Sequence, residues 1–326
     1  MKALITGASG FIGSHLSEWL LKQGFEVHCL IRKTSNLRWI KPLQIHLVEA
    51  DFSDSQSLDR AVAGMDYIFH LGAVINSNQW ETHFRVNFLN TKNLIEACLR
   101  NNLKLKKFVL VSSIAAMGPG EKGKFLIETD PCKPRSLYGK SKRLAEKIVL
   151  KYKDTIPTAI IRPPNVLGPR QNEMYLATKL IKMRLVPRIG NEDKQTSLCY
   201  VGDLVEAIQL VAEREEANGQ IYLVTDSNTY AWKEISDQIA KELGTGKLFL
   251  RTPYSIQYII AFISEAISAM TRSTPILTTQ DLQSSRHFYW LYDDSKIRRE
   301  LGFISKTDMK EAVRKTIQWY RDQNMI

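Results

Sequence analysis

Cysteine is scarce in this chain: Cys29, Cys98, Cys132 and Cys199 are the only four in 326 residues. They lie far apart and form no Cys-x-x-Cys pair, which argues against a disulfide framework or a cysteine zinc site and fits a reducing, cytoplasmic setting. The six histidines, His15, His28, His46, His70, His83 and His287, show no metal-ligand spacing. They are read as structural, and no metal is expected. Internal repeats and low-complexity linkers are also missing. No apolar run is long enough for a membrane span. The most apolar stretch, Tyr254–Met270 (YSIQYIIAFISEAISAM), has 17 residues and is broken by Gln257 and Glu265. Because the first strand of the fold begins at residue 2, no secretory leader is expected. Acidic surplus is lacking, and the net charge is +11. That balance raises the question of nucleic acid. The basic residues are dispersed, however, in short clusters such as Lys104/Lys106/Lys107 and Lys140/Lys142/Arg143, with no aromatic-interleaved basic stripe. A solvated basic surface is the plain reading and no nucleic-acid partner is expected.

What is present begins at Lys2. The stretch to Arg32, KALITGASGFIGSHLSEWLLKQGFEVHCLIR, reads as an apolar strand, a glycine turn, an amphipathic helix and a second apolar strand. Gly7, Gly10 and Gly13 allow a tight turn and let backbone N–H groups approach a pyrophosphate at the helix N-terminus. The helix, about Phe11 to Gln23, puts Ile12, Leu16, Trp19 and Leu20 on one face and ends at Gly24. The spacing is Gly-x-x-Gly-x-x-Gly; by itself it also describes a tight strand–helix connection with no ligand.

From there the first half alternates strand and helix at the pace of a parallel sheet. Strands are read at Glu26–Ile31, Ile45–Glu49, Asp66–Leu71, Lys107–Ser112 and Thr158–Ile161. Helices are read at Ser55–Ala63, capped by Ser53 or Ser55, at Trp80–Arg100 and at Leu137–Tyr152. After Arg162 the pattern loosens into helices at Glu173–Arg184, Leu204–Ala212, Lys233–Leu243 and Met309–Arg321, with strands at Ser197–Val201 and Ile221–Val224. The fold class is α/β: a Rossmann doubly wound parallel sheet with a smaller, discontinuous C-terminal substrate lobe. Residues 1–165, with returning segments at about 197–226 and 288–295, form the dinucleotide-binding domain. The lobe takes about 166–196, 227–287 and 296–326. Tyr254–Met270 is read as core or substrate-pocket wall, or as an interfacial helix in peripheral membrane contact, since Arg251 and Arg272 flank it.

Tyr138-Gly139-Lys140-Ser141-Lys142 is the second informative segment. Four residues apart on a helix, Tyr138 and Lys142 share a face. A phenol with its ordinary pKa near ~10 is a poor acid at neutrality, and a neighbouring ammonium lowers that value. Ser112 and Ser113 end the preceding strand at the sheet's carboxyl edge, where doubly wound folds carry their sites.

Together these motifs resemble the extended short-chain dehydrogenases/reductases, the superfamily of nucleotide-sugar epimerases, dihydroflavonol reductases and hydroxysteroid dehydrogenases. The resemblance runs along nearly the whole chain: Thr6–Gly13, Asp51-Phe52, His70-Leu71-Gly72-Ala73, Asn87 with NFLNTKNLIEA (Asn90 replacing the usual glycine), Ser112-Ser113, Arg162 to Pro169, Tyr200-Val201-Gly202-Asp203, and Asp294-Ser295-Lys296 through Leu301-Gly302. It implies Ser113, Tyr138, Lys142 and Asn87 as catalytic residues, Ser113 being favoured over Ser112 by its register to Gly118. It implies cofactor contacts from Gly7, Ser9, Gly10, Phe11, Ile12, Gly13, Arg32, Asp51, Phe52, Leu71, Gly72, Ala73, Tyr138, Lys142 and Pro164. A homodimer through Trp80–Arg100 and Leu137–Tyr152 is the family-level expectation.

Three departures narrow this. The second strand ends Leu30-Ile31-Arg32-Lys33 with no carboxylate to hold a ribose diol, while Arg32 can pair with a 2′-phosphate, so NADP(H) is expected over NAD(H). The Asp-Glu pair of sugar dehydratases is replaced after Ser113 by Ile114-Ala115-Ala116, so dehydration is not expected. The nucleotide-binding arginine of sugar enzymes is replaced by Gln195-Thr196-Ser197-Leu198, with Arg188 or Lys194 as substitutes, whereas Asn165 resembles a phosphate contact of those enzymes. The expected activity is NADP(H)-dependent hydride transfer to or from a carbonyl or secondary alcohol on a hydrophobic small molecule. The alternative is a UDP-sugar epimerase or reductase with bound NAD(P).

Overall fold

The computed structural model describes residues 1–187, 195–246, 248–250, 254–271, 279 and 289–326. Its centre is a seven-stranded, wholly parallel sheet. Going along the chain, β1 (Lys2–Thr6) leads into α1 (Phe11–Lys22), then β2 (Glu26–Ile31), β3 (His46–Glu49), α2 (Ser55–Val62) and β4 (Tyr67–His70). Two helices follow, α3 (Trp80–His83) and α4 (Asn90–Asn101), then β5 (Lys107–Val111), α5 (Leu137–Lys151) and β6 (Thr158–Arg162). The strand order is β3-β2-β1-β4-β5-β6-β10, the last strand being Gln220–Leu223. Order reverses between β1 and β4, so a crevice opens over the carboxyl ends of those two strands, the place where doubly wound sheets take their ligands. Strands β4, β5 and β6 are buried along their entire length, which is why they read as unbroken apolar runs.

Helices cover both faces. On one side α1 and α7 (Val201–Glu213) bury Leu16, Leu20, Leu204 and Ile208 against Ile5, Phe69 and Val109. On the other α2, α4 and α5 bury Leu58, Leu94, Ile95 and Val149 against Leu4, Ile68 and Phe108. Two local details differ from expectation. Asp54, not Ser53 or Ser55, caps α2, its carboxylate accepting from Gln56 N at 3.0 Å; the serines flank a better acceptor. The single long helix expected from Trp80 to Arg100 is interrupted by a π-helical turn at Phe84–Leu89, between α3 and α4.

Beyond β6 the chain builds a lobe around β7 (Asn165–Leu167), α6 (Asn172–Lys182), β8 (Leu185–Pro187), β9 (Gln195–Tyr200), β11 (Thr229–Ala231), α8 (Trp232–Leu243), β12 (Leu248–Leu250), α9 (Tyr254–Thr271), α10 (Ser295–Leu301) and α11 (Met309–Asp322). Its own core joins Met174, Ile181, Ile235, Ile239, Val313 and Ile317. Of the segments expected to return to the dinucleotide-binding domain, 197–226 contributes α7 to the first core and the strand Gln220–Leu223 to the main sheet. β9 lies in a three-stranded sheet between β7 and β11, its register with β7 fixed by Val166↔Cys199. Tyr289 and Tyr292 bridge to Gly120 and Leu126 in the loop after β5, with Trp290 bridging to Thr196. An apolar run of this length declares a strand without declaring its neighbour. Arg188, Lys194, His287 and residue 288 lie outside the described residues.

Candidate active site

The glycine turn forms a bare backbone cradle. Gly7 has φ +71°, and a Cβ there would lie 2.7 Å from Gly72 N; a Cβ on Gly13 would lie 2.2 Å from Gly7 O. Helix α1 starts at Gly10 with no side-chain cap and no acidic residue in its first turn. Its leading N–H groups are therefore open to an anion beside Ser9, Phe11 and Ile12. These residues fit a pyrophosphate.

Opposite them, a buried hydrogen-bond chain ties β1 to β4. Gly72 N–H donates to Thr6 Oγ1 (3.1 Å), Thr6 Oγ1 meets His70 Nδ1 (2.6 Å), His70 Nε2 meets Thr91 Oγ1 (2.9 Å), and Thr91 Oγ1 donates to Asn87 O (2.7 Å). The Thr91 proton is committed to Asn87, so Thr91 must accept from His70 Nε2–H; Nδ1 then accepts from Thr6. Only the neutral Nε2–H tautomer satisfies every partner. Burial, aided by the Lys142 charge, pushes the His70 pKa down to about 3, in keeping with that neutrality. The chain holds Leu71, Gly72 and Ala73 against the glycine turn.

Asn87 sits in the π-helical turn and is buried. Its amide makes three bonds to two segments: Oδ1 accepts from Val74 N (2.8 Å), while Nδ2 donates to Val74 O (2.9 Å) and to Ser141 Oγ (2.9 Å). It is thus a positioning residue, pinning the loop after β4 to α5. π-helical turns recur at functional sites because they re-aim a side chain in this way.

Helix α5 carries Tyr138 and Lys142 onto the carboxyl end of β5, capped by Ser136 Oγ accepting from Gly139 N at 2.9 Å. Gly139 permits the approach, since a Cβ would fall 2.2 Å from Ala115 O in the turn after Ser113. Lys142 is buried and donates to Val111 O at 2.8 Å; burial pushes its pKa down to about 8, against the pull of Glu146. Tyr138 keeps part of its surface open, yet burial pushes its phenol up to about 12, opposed by a hydrogen bond with Ser113. The expected lowering of Tyr138 by Lys142 is therefore corrected: the ammonium is turned to the Val111 carbonyl, and the stabilising partner of the phenol is Ser113. Ser112 faces away, its Oγ donating to Glu146 Oε1 at 2.7 Å.

Glu146 was not singled out by sequence, and Arg162 only as the first residue of a segment carrying the resemblance. Both are fully buried, and Arg162 grips the carboxylate in a fork, Nε to Oε1 at 2.7 Å and Nη2 to Oε2 at 2.8 Å, with Arg143 adding a third bond at 2.9 Å. Burial alone would raise the Glu146 pKa, but Arg162, Ser112 and Arg143 outweigh it and hold the carboxyl below its ordinary value. The signal available was positional, as Glu146 lies one helical turn beyond Lys142.

Just beyond the carboxyl end of β2, Arg32 is exposed and has no ion-pair partner among the described residues; its backbone is engaged with Ser35. Asp51 is exposed and accepts from Ser53 N (2.8 Å) and Oγ (2.7 Å), which lower its pKa, while the Phe52 ring lies 6.1 Å from that of His70. Pro164 is buried just beyond β6, next to Pro163, whose carbonyl accepts from Ile114 N at 3.1 Å. One further cluster escaped the sequence reading. His28 and His46 are partners across β2 and β3, and with Glu26 they bring potential metal-ligand atoms within 4.8 Å of one another. It lies towards the amino end of β2 and β3, with the Lys2 ammonium 3.7 Å from the Glu26 carboxylate.

A parallel sheet of this order, a bare glycine cradle at its crossover and a Tyr/Lys/Ser set at the next strand end define a Rossmann-type NAD(P)-dependent enzyme. The chain belongs to the NAD dependent epimerase/dehydratase family, whose model matches residues 3–225, and so to the extended short-chain dehydrogenases/reductases. Among its relatives is the sterol-4-alpha-carboxylate 3-dehydrogenase, decarboxylating, of Mus musculus, 27% identical and covering 97% of this chain and 90% of the relative. The ceramide reductase of Caulobacter vibrioides is 26% identical, covering 97% and 93%. In structure the chain is similar to UDP-glucose 4-epimerase of Thermotoga maritima, with TM-score 0.83 at 20% identity, covering 99% of this chain and 100% of the other.

Proposed function

We propose that the protein is an NADP(H)-dependent oxidoreductase acting on the carbonyl or secondary alcohol of a hydrophobic small molecule. The observation that carries the reading is the convergence of Tyr138, Lys142 and Ser113 at the carboxyl end of β5, beside the glycine cradle. When bound, the dinucleotide supplies or accepts a hydride at its nicotinamide ring. Tyr138 delivers the proton to the carbonyl oxygen in reduction and takes it back in oxidation, and Ser113 orients that oxygen. Lys142, buried at the carboxyl end of β5, would hold the nicotinamide ribose. Asn87 keeps α5 in place. Donors aimed at the developing alkoxide stabilise it most effectively where the site excludes water.

Arg32, exposed and without an ion-pair partner among the described residues, together with the lack of an acidic residue ending β2, supports NADP(H) over NAD(H). The names of two relatives, a sterol carboxylate dehydrogenase and a ceramide reductase, support an apolar substrate held by the lobe of residues 166–196, 227–287 and 296–326. A homodimer through α3–α4 and α5, and work in the cytoplasm, belong to the same reading; the free thiols of Cys29, Cys98 and Cys199 are buried, which suits a reducing compartment. Asn165, exposed at the start of β7, favours a second reading, a UDP-sugar epimerase or reductase. Thermal-shift titrations with NADPH, NADH and UDP, followed by an NADPH-oxidation screen over ketones, test both. Stabilisation by NADPH and turnover of apolar ketones is the expected result; stabilisation by UDP with no ketone turnover would establish the second reading.

A further inference from the structure

Helix α9 is amphipathic in the wrong sense for a globular protein. Among its described side chains Ala261 is the buried one, and Glu265, half-buried and one turn on, has its Oε1 accepting from Thr279 N at 2.9 Å and Thr279 Oγ1 at 3.2 Å. The apolar side points out: Ile256, Ile259, Ile260, Phe262 and Ile263 are each between 45% and 62% exposed. At 3.6 residues per turn these five span an arc of about 160°, wider than the seam of a two-helix contact and without one charged residue. Contiguous apolar surface of this kind marks an interaction site.

We propose that α9 lies on an anionic lipid surface with this isoleucine face immersed. Charge selects that occupant. Between Glu242 and Asp281 the only acid is Glu265, already engaged by Thr279, while Lys247 and Arg251 precede the helix and Arg272 follows it. These three residues lie outside the described residues, but in sequence both flanks of the helix are basic, so a second copy on this face would add like charge to like charge, parallel or antiparallel. An anionic bilayer neutralises both ends and takes up the isoleucines between them. The overall charge of +11 adds long-range attraction. The helix lies on the bilayer rather than across it, since no described helix is long and apolar enough to cross a membrane. This surface is independent of the redox reading.

The test is flotation of the full chain with phosphatidylcholine vesicles and with vesicles also containing phosphatidylglycerol. Binding to the anionic vesicles is expected, weakening as salt is raised. Ile260→Asp/Ile263→Asp should lower partitioning about tenfold or more with the thermal midpoint unchanged, because both side chains are exposed. Arg251→Glu/Arg272→Glu should lower it on anionic vesicles alone, by about fivefold or more per arginine. Absence of binding to either vesicle, or binding that both double variants leave intact, overturns the proposal. So does sedimentation showing a dimer that the isoleucine variant dissociates without any vesicle binding, which would make the occupant a second copy.

Discussion

The Glu146–Arg162 pair gives the sharpest stability prediction. Glu146→Ala removes the acceptor of two Arg162 bonds, one Arg143 bond and the Ser112 hydroxyl bond, and leaves a guanidinium with no exposed surface. Breaking a buried pair from one side costs about 3–5 kcal/mol, mainly because the remaining charge is uncompensated. At roughly 2–4 °C per kcal/mol for large domains, the thermal midpoint should fall by about 10 °C. Arg162→Met alone should cost less, since the orphaned Glu146 can take up a proton and keeps Ser112 and Arg143 beside it. The double variant should be no less stable than Glu146→Ala alone, because the charge that made the loss expensive is gone. Calorimetry or far-ultraviolet circular dichroism on the three variants completes the cycle. A fall of only a degree or two for Glu146→Ala, or a double variant equal to the sum of the singles, would refute the reasoning.

Three further outcomes follow from named contacts. Arg32→Asp should lower NADPH affinity about 10–100-fold and raise relative NADH affinity, the value of one charged phosphate contact; equal dissociation constants for both cofactors in both proteins would contradict it. His70 is neutral in the fold and its pKa sits near 3 against 6.5 ordinarily, so between those values the unfolded chain binds a proton that the folded chain does not. Stability is then unaffected above 6.5 and is lost as pH falls toward 3, by an amount on the order of 5 kcal/mol that should be absent from His70→Gln in urea titrations across that window. Gly139→Ala would drive a Cβ into the Ala115 carbonyl. It should cost about 1–3 kcal/mol and separate Tyr138 from Ser113, read as lower kcat at unchanged NADPH affinity.

The central sheet was legible because strands buried on both faces carry continuous apolar residues, and the glycines and the Tyr138/Lys142 spacing mark a turn and a helix face by local chemistry alone. Where sequence fell short, the cause was non-local. A strand was recognisable at Ser197–Val201, within a residue or two of β9, but its partners β7 and β11 are chosen by the packing of the lobe. The π-helical turn at Phe84–Leu89 slips a hydrogen-bond register without changing composition, so Asn87 was named from resemblance and its role in tying the Val74 loop to α5 came from the structure. The tuning assigned to Lys142 assumed that sharing a helix face meant sharing a contact, whereas the Val111 carbonyl takes the ammonium. Glu146 and Arg162 meet only when α5 packs over β6, and His28 and His46 only through strand register.

The claim on which the account rests is proton transfer by Tyr138, and one paired measurement tests it: NADPH oxidation with an apolar ketone, and NADPH affinity, in the native chain and in Tyr138→Phe. The phenyl ring keeps the packing and loses the hydroxyl. Turnover should vanish while the NADPH dissociation constant changes less than about threefold. Undiminished ketone reduction by Tyr138→Phe would contradict the account.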